Sequence, residues 1–210
     1  GFTVQANNAY SGGFTGNEFP DDDIRTLNAA ARITGSTSQS DWGLVSYLGR
    51  INYAFRDKYL LTASLRRDGS SRFGPENRWG WFPSVAASWR LSEESFMASM
   101  ESINDLKVRA SYGMTGNNNI GDFNYVGAVG ADNYVFGGTL ASGRTLNSMG
   151  NSFLGWERSR EINLGLDASL FNYRLLFTAD LYRRLTEDLL LSTEVPQSSG
   201  FGGVTENRGS

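Results

Sequence analysis

The stretch Lys58–Leu91, KYLLTASLRRDGSSRFGPENRWGWFPSVAASWRL, holds two segments of strict alternation around a polar, glycine-containing middle. In the first segment Tyr59, Leu61, Ala63 and Leu65 oppose Thr62, Ser64 and Arg66. In the second, Trp81, Pro83, Val85, Ala87, Trp89 and Leu91 oppose Phe82, Ser84, Ser88 and Arg90. A period of two puts successive side chains on opposite faces of a strand. One face is therefore uncharged and large, the other small or charged. The middle, RDGSSRFG over 67–74, reads as a reversal: Asp68-Gly69 is a turn pair, and Ser70, Ser71 and Arg72 are expected to face water.

The same alternation recurs on both sides of this stretch. Val45, Tyr47, Ile51, Tyr53 and Phe55 oppose Ser46, Arg50 and Asn52, with Trp42, Leu44 and Leu48 joining the second set. Leu106, Val108, Ala110, Tyr112 and Met114 oppose Lys107, Arg109, Ser111 and Thr115. Ile162, Leu164, Leu166, Ala168 and Leu170 oppose Glu161, Asn163, Asp167 and Ser169, and Leu175, Phe177, Ala179 and Leu181 oppose Thr178, Asp180, Tyr182 and Arg184. The composition agrees with an all-β chain: 25 Gly, 13% aromatic residues and 4 Pro in 210 residues.

Alternation alone also fits a soluble all-β carbohydrate-binding or adhesin module. Three features favour a membrane sheet. The segments run to about 9–13 residues, long enough to cross a bilayer at a tilt, whereas soluble strands average about 5–6. The apolar face ends in rings, Tyr53, Phe55, Tyr59, Trp81, Trp89 and Tyr112, as in the aromatic girdles of outer-membrane barrels. The connections alternate between tight (Arg56–Lys58, Phe171–Arg174) and long (116–156). The predicted lipid face carries Tyr53, Leu61, Trp81, Val85, Trp89, Tyr112, Leu164 and Phe177. The predicted lumen face carries Arg50, Arg66, Arg90, Lys107, Arg109, Asp167 and Asp180. No run of 18 apolar residues provides a membrane-spanning helix.

Several chemistries are excluded or weakly signalled. The chain has no Cys and no His, which removes disulfides, thiolate metal sites and His-based nucleophile activation. Net charge is −3, with no long basic run, so no nucleic-acid partner is expected. Asn117–Asn119 with Asp122 offer oxygen ligands, but not at the spacing of an EF-hand loop, and no metal or cofactor is assigned. Asp21–Asp23 read as the acidic start of a helix entering Ile24–Leu27, and Ser92 with Glu93 and Glu94 as the start of a short surface helix near 93–101. Glu93/Glu94 and Glu187/Asp188 are adjacent carboxylates that strand geometry points apart, so no enzyme activity is expected. Trp79, Phe123, Tyr125, Tyr134, Phe136 and Trp156 lie in or beside long connections and are the candidates for substrate contact, since flat rings stack on sugar faces.

These residues carry a resemblance. LGRINYAFRDKYLLTASLRRDGSSRFGPENRWGWFPSVAASWRLSEESF, LKVRASYGMTGNNNIGDFNY, LGWERSREINLGLD and YRRLTEDLLL resemble, in order, the barrel of the SusC/RagA family of TonB-linked outer-membrane proteins of Bacteroidota. The terminal TENRGS resembles the start of that family's Asn-x-Gly segment. The resemblance runs from about Gly43 to Ser210, with Gly1–Ala6 as the end of a preceding strand. It implies that residues 1–210 are part of a plugged antiparallel barrel of ~22 strands, contributing about six to seven of them. The plug domain, the signal peptide and the closing strands are expected outside this chain, and 7–40 and 116–156 are expected as long extracellular loops. It also implies active import of glycans or peptides across the outer membrane, with a SusD-like surface lipoprotein as lid and TonB as energy source.

Overall fold

A computed structural model describes residues 1–24 and 26–209. It contains β1 (Phe2–Asn17), β2 (Arg32–Phe55), β3 (Tyr59–Ser70), β4 (Trp79–Arg90), β5 (Ile103–Asn117), β6 (Ala128–Phe136), β7 (Thr139–Ser148), β8 (Glu157–Leu170), β9 (Leu175–Glu187), β10 (Leu189–Glu194) and β11 (Gly203–Arg208). Seven of them form one antiparallel sheet in the order β1-β2-β3-β4-β5-β8-β9, a half-barrel wall. Hairpins β6–β7 and β10–β11 stand apart as two-stranded ribbons.

The register turns the alternation into continuous rows. Tyr53, Leu61, Ala87, Ala110, Leu164 and Leu181 are successive cross-strand partners over six strands. Phe55, Tyr59, Trp89, Val108, Leu166 and Ala179 form a parallel row near the end of the sheet where the tight turns lie. Between rows of this kind, Arg50, Ser64, Ser84, Gly113, Glu161 and Arg184 line up on the opposite face. A one-residue slip would exchange the faces, so burial of the apolar rows in lipid fixes the register.

The apolar face is bare: Ile51 and Leu181 are each 73% exposed. A soluble sandwich would cover such a face with a second sheet about 10 Å away. Among the described residues, the buried hydrophobic core consists of Phe73, Phe82, Leu154 and Trp156 alone. The long, bare apolar rows suit contact with lipid and weigh against the soluble binding module.

Several expectations change in detail. The segment 7–40 is mostly paired strand: β1 and β2 remain in register from Phe2/Tyr47 to Asn17/Arg32, leaving 18–31 as the connection. Likewise 116–156 contains the β6–β7 hairpin. The surface helix near 93–101 is replaced by two 3-10 turns, Leu91–Glu93 and Ser95–Met97. Ser92 lies within the first turn, whose N-cap is Arg90, and its hydroxyl donates to Asp105 Oδ1 at 3.0 Å. At Asp21–Asp23 the chain bends, with Asp21 Oδ1 accepting from the Asp23 and Ile24 amides, and a 3-10 turn follows only at Leu27–Ala29. Arg25, inside that expected helix, and Ser210, at the end of the expected Asn-x-Gly segment, lie outside the described residues.

The opening stretch also differs. Asp68, Gly69 and Ser70 belong to β3, opposite Gly80 and Trp79 of β4, and the reversal falls at 71–78. Gly69 has no positive φ. It is glycine because a Cβ there would lie 2.8 Å from the ring of Trp79. Ser70 is fully buried rather than solvated.

Candidate functional site: the polar wall and its mouth

Arg109 on β5 is the centre of the charged face. Its Nε and Nη2 donate to both carboxylate oxygens of Asp167 at 2.8 and 3.0 Å, and Nη2 also reaches Asp180 at 3.2 Å. Asp180 lies two strands away, across Gly165 in the same row. A Cβ at Gly165 would collide with the Arg109 guanidinium and with Asp180, so the glycine opens the path between them. Lys107 joins Asp167 at 3.1 Å, and Arg184 pairs with Glu161 at 2.6 Å. Arg90 bridges Glu93 and Asp105, and Arg66 Nη2 meets Asp68 at 2.6 Å. Arg50 takes its place in the same set of rows beside Ser64. Most of these pairs are half-exposed and screened by solvent, whereas the Asp68 carboxylate that meets Arg66 is buried. Their effect is a water-compatible wall with fixed charge positions.

At the opposite end from the tight turns the polar face is closed over by loops. Phe82 projects from β4 beneath Trp156, ring centroids 5.3 Å apart and nearly perpendicular, and Phe73 packs on Trp156 at 5.2 Å. Leu154 completes this cluster, with Leu44, Met114, Ile120 and Leu190 around it. Gly80 and Gly116 provide the room: a Cβ at either position would occupy the place of the Phe82 ring. Leu44 and its neighbour Trp42, apolar residues on the nominally polar face of β2, are explained by this mouth. Leu44 packs on the cluster, and the Arg72 guanidinium lies 4.7 Å over the Trp42 ring.

Polar contacts tie the loops together. Asp122 accepts from Arg72 Nε at 2.9 Å, Ser40 Oγ at 2.6 Å and the Asp41 amide at 3.1 Å. Burial pushes the Asp122 carboxyl up. The hydrogen bonds from Ser40 and Arg72, with the Arg72 charge, outweigh this and hold it below the usual carboxylate range. Asp122, considered above as a metal ligand, is thus held by a guanidinium. Asn118 donates to Ser70 Oγ, which explains the burial of that serine. Asn207 on β11 clips Gly155, accepting from its amide at 2.8 Å and donating to its carbonyl at 2.9 Å. Phe73, Leu154, Asp122 and Asn207 all escaped the sequence reading as structural groups of the mouth. The one available signal was the Asn of TENRGS.

The end with the tight turns is closed differently. Glu94 accepts from Tyr59 Oη at 2.7 Å and Trp89 Nε1 at 3.1 Å, with Lys58 Nζ at 3.4 Å. These donors, Tyr59 first, lower the Glu94 carboxyl below its ordinary range. Glu93 turns to Arg90 and Glu187 to Arg160, so neither pair of adjacent carboxylates shares a cleft.

The six candidate substrate-contact rings separate. Trp156 is only 5% exposed and belongs to the mouth cluster, its Nε1 donating to the Arg78 carbonyl at 3.1 Å. Trp79 lies on the apolar face beside Tyr47, not in a loop. In this structure Trp156 is a packing residue of the mouth and Trp79 a ring on the apolar face beside the 71–78 reversal. Tyr125 is half-buried and lies beside Gly74. Phe123 is exposed, at φ +63°. Tyr134 and Phe136 are 68% and 76% exposed and share one face of β6, about 7 Å apart along the strand.

Comparison with known proteins agrees with this architecture. The family profile described as "TonB dependent receptor-like, beta-barrel" matches residues 1–210. TonB-dependent receptor P39 of Formosa agariphila is 43% identical over 196 residues, covering 92% of this chain and 19% of the relative. TonB-dependent receptor SusC of Bacteroides thetaiotaomicron is 42% identical over 173 residues, 80% of this chain and 17% of SusC. The solved structure of the RagAB peptide transporter superimposes with a TM-score of 0.80 at 30% identity, covering 98% of this chain and 24% of that one. The chain spans about a fifth of the length of the curated relatives it matches. An outer-membrane wall with one apolar and one charged face, closed by ordered loops at one end, is what such a relationship requires, and the chain belongs to the TonB-dependent receptor β-barrel family.

Proposed function

We propose that this chain forms part of the wall of a TonB-driven outer-membrane importer for glycans or peptides, working with a SusD-like surface lipoprotein and carrying no enzymatic activity of its own. The observation that supports this reading is the coexistence, in one sheet, of predominantly apolar lipid-facing rows and the Lys107–Asp167–Arg109–Asp180 network on the opposite, lumenal face. A lumen of fixed charges and hydroxyls guides polar cargo without retaining it. The connections 18–31, 71–78 and 118–156 lie on the extracellular side, opposite the tight turns. There the exposed pair Tyr134 and Phe136 offers a flat apolar surface to a sugar ring or a peptide side chain, with Phe123 and Tyr125 nearer the mouth.

The test is deletion and complementation of the complete receptor in its host, with uptake of labelled oligosaccharides and of labelled peptides measured in parallel. Loss of uptake of one class, restored by complementation and abolished by a protonophore, is expected. Unchanged uptake of both classes would refute the import reading. Co-purification of a lipoprotein with the receptor tests the partner separately.

A further inference from the structure

The connection between β4 and β5 is out of proportion. The other turns at that end of the sheet take three residues, Arg56–Lys58, and four, Phe171–Arg174, whereas this one takes twelve, 91–102. It carries Phe96 and Met100 at 59% and 48% exposure. Turns on the periplasmic side of an outer-membrane barrel are short, so a longer one with exposed apolar side chains has a cause of its own.

The segment straddles the edge of the wall. On the charged side Glu93 pairs with Arg90 at 3.3 Å, and the Ser92 hydroxyl donates to Asp105. Glu94 crosses to the other side. Its Oε1 accepts from Tyr59 Oη and from Trp89 Nε1. Those two rings belong to the apolar row and stack with centroids 6.1 Å apart. Interfacial Tyr and Trp turn their polar tips toward the headgroups. Here Glu94 occupies that position, and Lys58 balances its charge.

From Glu94 the backbone advances by threes. The Met97 amide donates to the Glu94 carbonyl at 3.0 Å, Met100 to Met97 at 2.9 Å and Ile103 to Met100 at 3.0 Å. On successive turns of this kind, residues three apart fall on one side. Both ends of the row lie on the apolar side, Glu94 through the two rings and Ile103 through its pairing with Leu170. Met97 and Met100 therefore share that side, with Phe96 adjacent. Ser95, Ser99, Glu101 and Ser102 leave the remainder of the segment polar. The next turn is joined to it: the Ser102 carbonyl accepts from the Phe171 amide at 2.9 Å, and Asn104 Oδ1 from the Tyr173 amide at 3.2 Å. Phe171 and Tyr173 are exposed, so the apolar rim continues across both turns.

We infer that 91–102 is a membrane foot, an amphipathic connection lying in the headgroup layer of the periplasmic leaflet with Phe96, Met97 and Met100 against phospholipid acyl chains. Phospholipid is the occupant because the apolar side of the segment is continuous with the lipid face of the wall, through Tyr59 and Trp89 at one end and Ile103 at the other. Amphipathic segments of this kind sink about 5–10 Å into the boundary between headgroups and chains. Glu94 is the positioning residue that sets the height of the foot. The inference rests on the outer-membrane wall reading, with the tight turns toward the periplasm.

The experiment uses the complete receptor in vesicles of phosphatidylethanolamine and phosphatidylglycerol, with one nitroxide label at a time on Phe96→Cys, Met100→Cys, Val85→Cys or Asp57→Cys. This chain has no Cys of its own, and cysteines elsewhere in the receptor are replaced by serine. Collision of the label with oxygen, which dissolves in hydrocarbon, is compared with collision with a water-soluble nickel chelate. Oxygen should dominate at 96 and 100 as it does at 85, and nickel at 57, an exposed position on the neighbouring turn. Glu94→Ala should shift the label on Met100→Cys to the nickel-dominated ratio of position 57. Glu94→Gln, which keeps an acceptor for Tyr59 and Trp89, and Glu93→Ala, on the charged side, should leave it unchanged. Heat-modifiable migration confirms that each variant is a folded barrel. Nickel dominance at 96 and 100 overturns the inference in favour of a solvated loop, and low collision with both probes there overturns it in favour of a covering protein segment. Nickel dominance at 85 defeats the wall reading and the foot with it, whereas oxygen at 85 without oxygen at 96 and 100 defeats the foot alone.

Discussion

Placing an arginine at Val85 in the complete barrel tests the assignment of faces most directly. Val85 lies on β4 midway between Trp81 and Trp89, four residues from each, with Ala63 and Tyr112 as its cross-strand neighbours. Four residues of tilted strand correspond to about 10 Å of bilayer height, so a guanidinium at Val85 starts near the midplane. Arg at that depth of a barrel wall costs about 2–4 kcal/mol, a factor of about 30–700 in the folding equilibrium. Ser84→Arg, one residue away, faces the lumen. It loses the 2.7 Å hydroxyl pair with Ser64, worth about 1 kcal/mol, and gains solvent for its charge. The assay is the heat-modifiable fraction of each variant refolded into vesicles across a urea series. Val85→Arg should be less stable than Ser84→Arg by at least 1 kcal/mol. Equal midpoints would mean that Val85 does not face hydrocarbon, and the face assignment would fail.

Two further outcomes concern the mouth. Trp156→Ala removes the centre of the Phe73–Phe82–Leu154 cluster and should destabilise it by about 3–5 kcal/mol, seen as faster hydrogen exchange at 71–78 and 149–156, while Phe136→Ala leaves exchange there unchanged. Asp122 is held below its ordinary carboxyl value, so the stability it gives is complete above the unfolded value of about 3.9 and is lost as pH falls through that value toward the lower folded one. Exchange at 118–127, relative to the intrinsic amide rate, should therefore rise only as pH falls below about 3.9, and Asp122→Asn should abolish that pH dependence.

The wall was legible because its two solvents write opposite residues at every second position. Tyr53, Leu61 and Leu164 could not face a charged lumen, nor Arg109 and Asp167 the lipid, and the structure arranges them in those rows. Strand ends were harder to see. Asp68-Gly69 reads as a turn from local preference alone; only the Trp79 ring over Gly69, a cross-strand fact, makes the pair extended. Above the membrane the alternation loses its physical cause, so the outer halves of β1 and β2, with Gly12, Gly13 and a run of Ser and Thr, looked like loop while pairing as strand. The mouth was nearly invisible because its members, Phe73, Asp122, Leu154 and Asn207, come from separate loops and meet through contacts of high sequence separation.

The hairpin between β5 and β8 bears on how fast the wall assembles. Every strand of the main sheet pairs with its sequence neighbour except at this point, where 39 residues, 118–156, intervene. Closing such a loop costs about 2 kcal/mol more in chain entropy than closing the three-residue turn Arg56–Lys58. The Asn151 amide, however, bonds the Asn124 carbonyl at 3.2 Å, so a preformed β6–β7 ribbon takes most of that length out of the search. The free chain then shrinks to about a dozen residues, and the difference falls to about 1 kcal/mol. A β6–β7 ribbon formed first from local contacts, on the microsecond scale of hairpins, would hold β5 and β8 near each other before they pair.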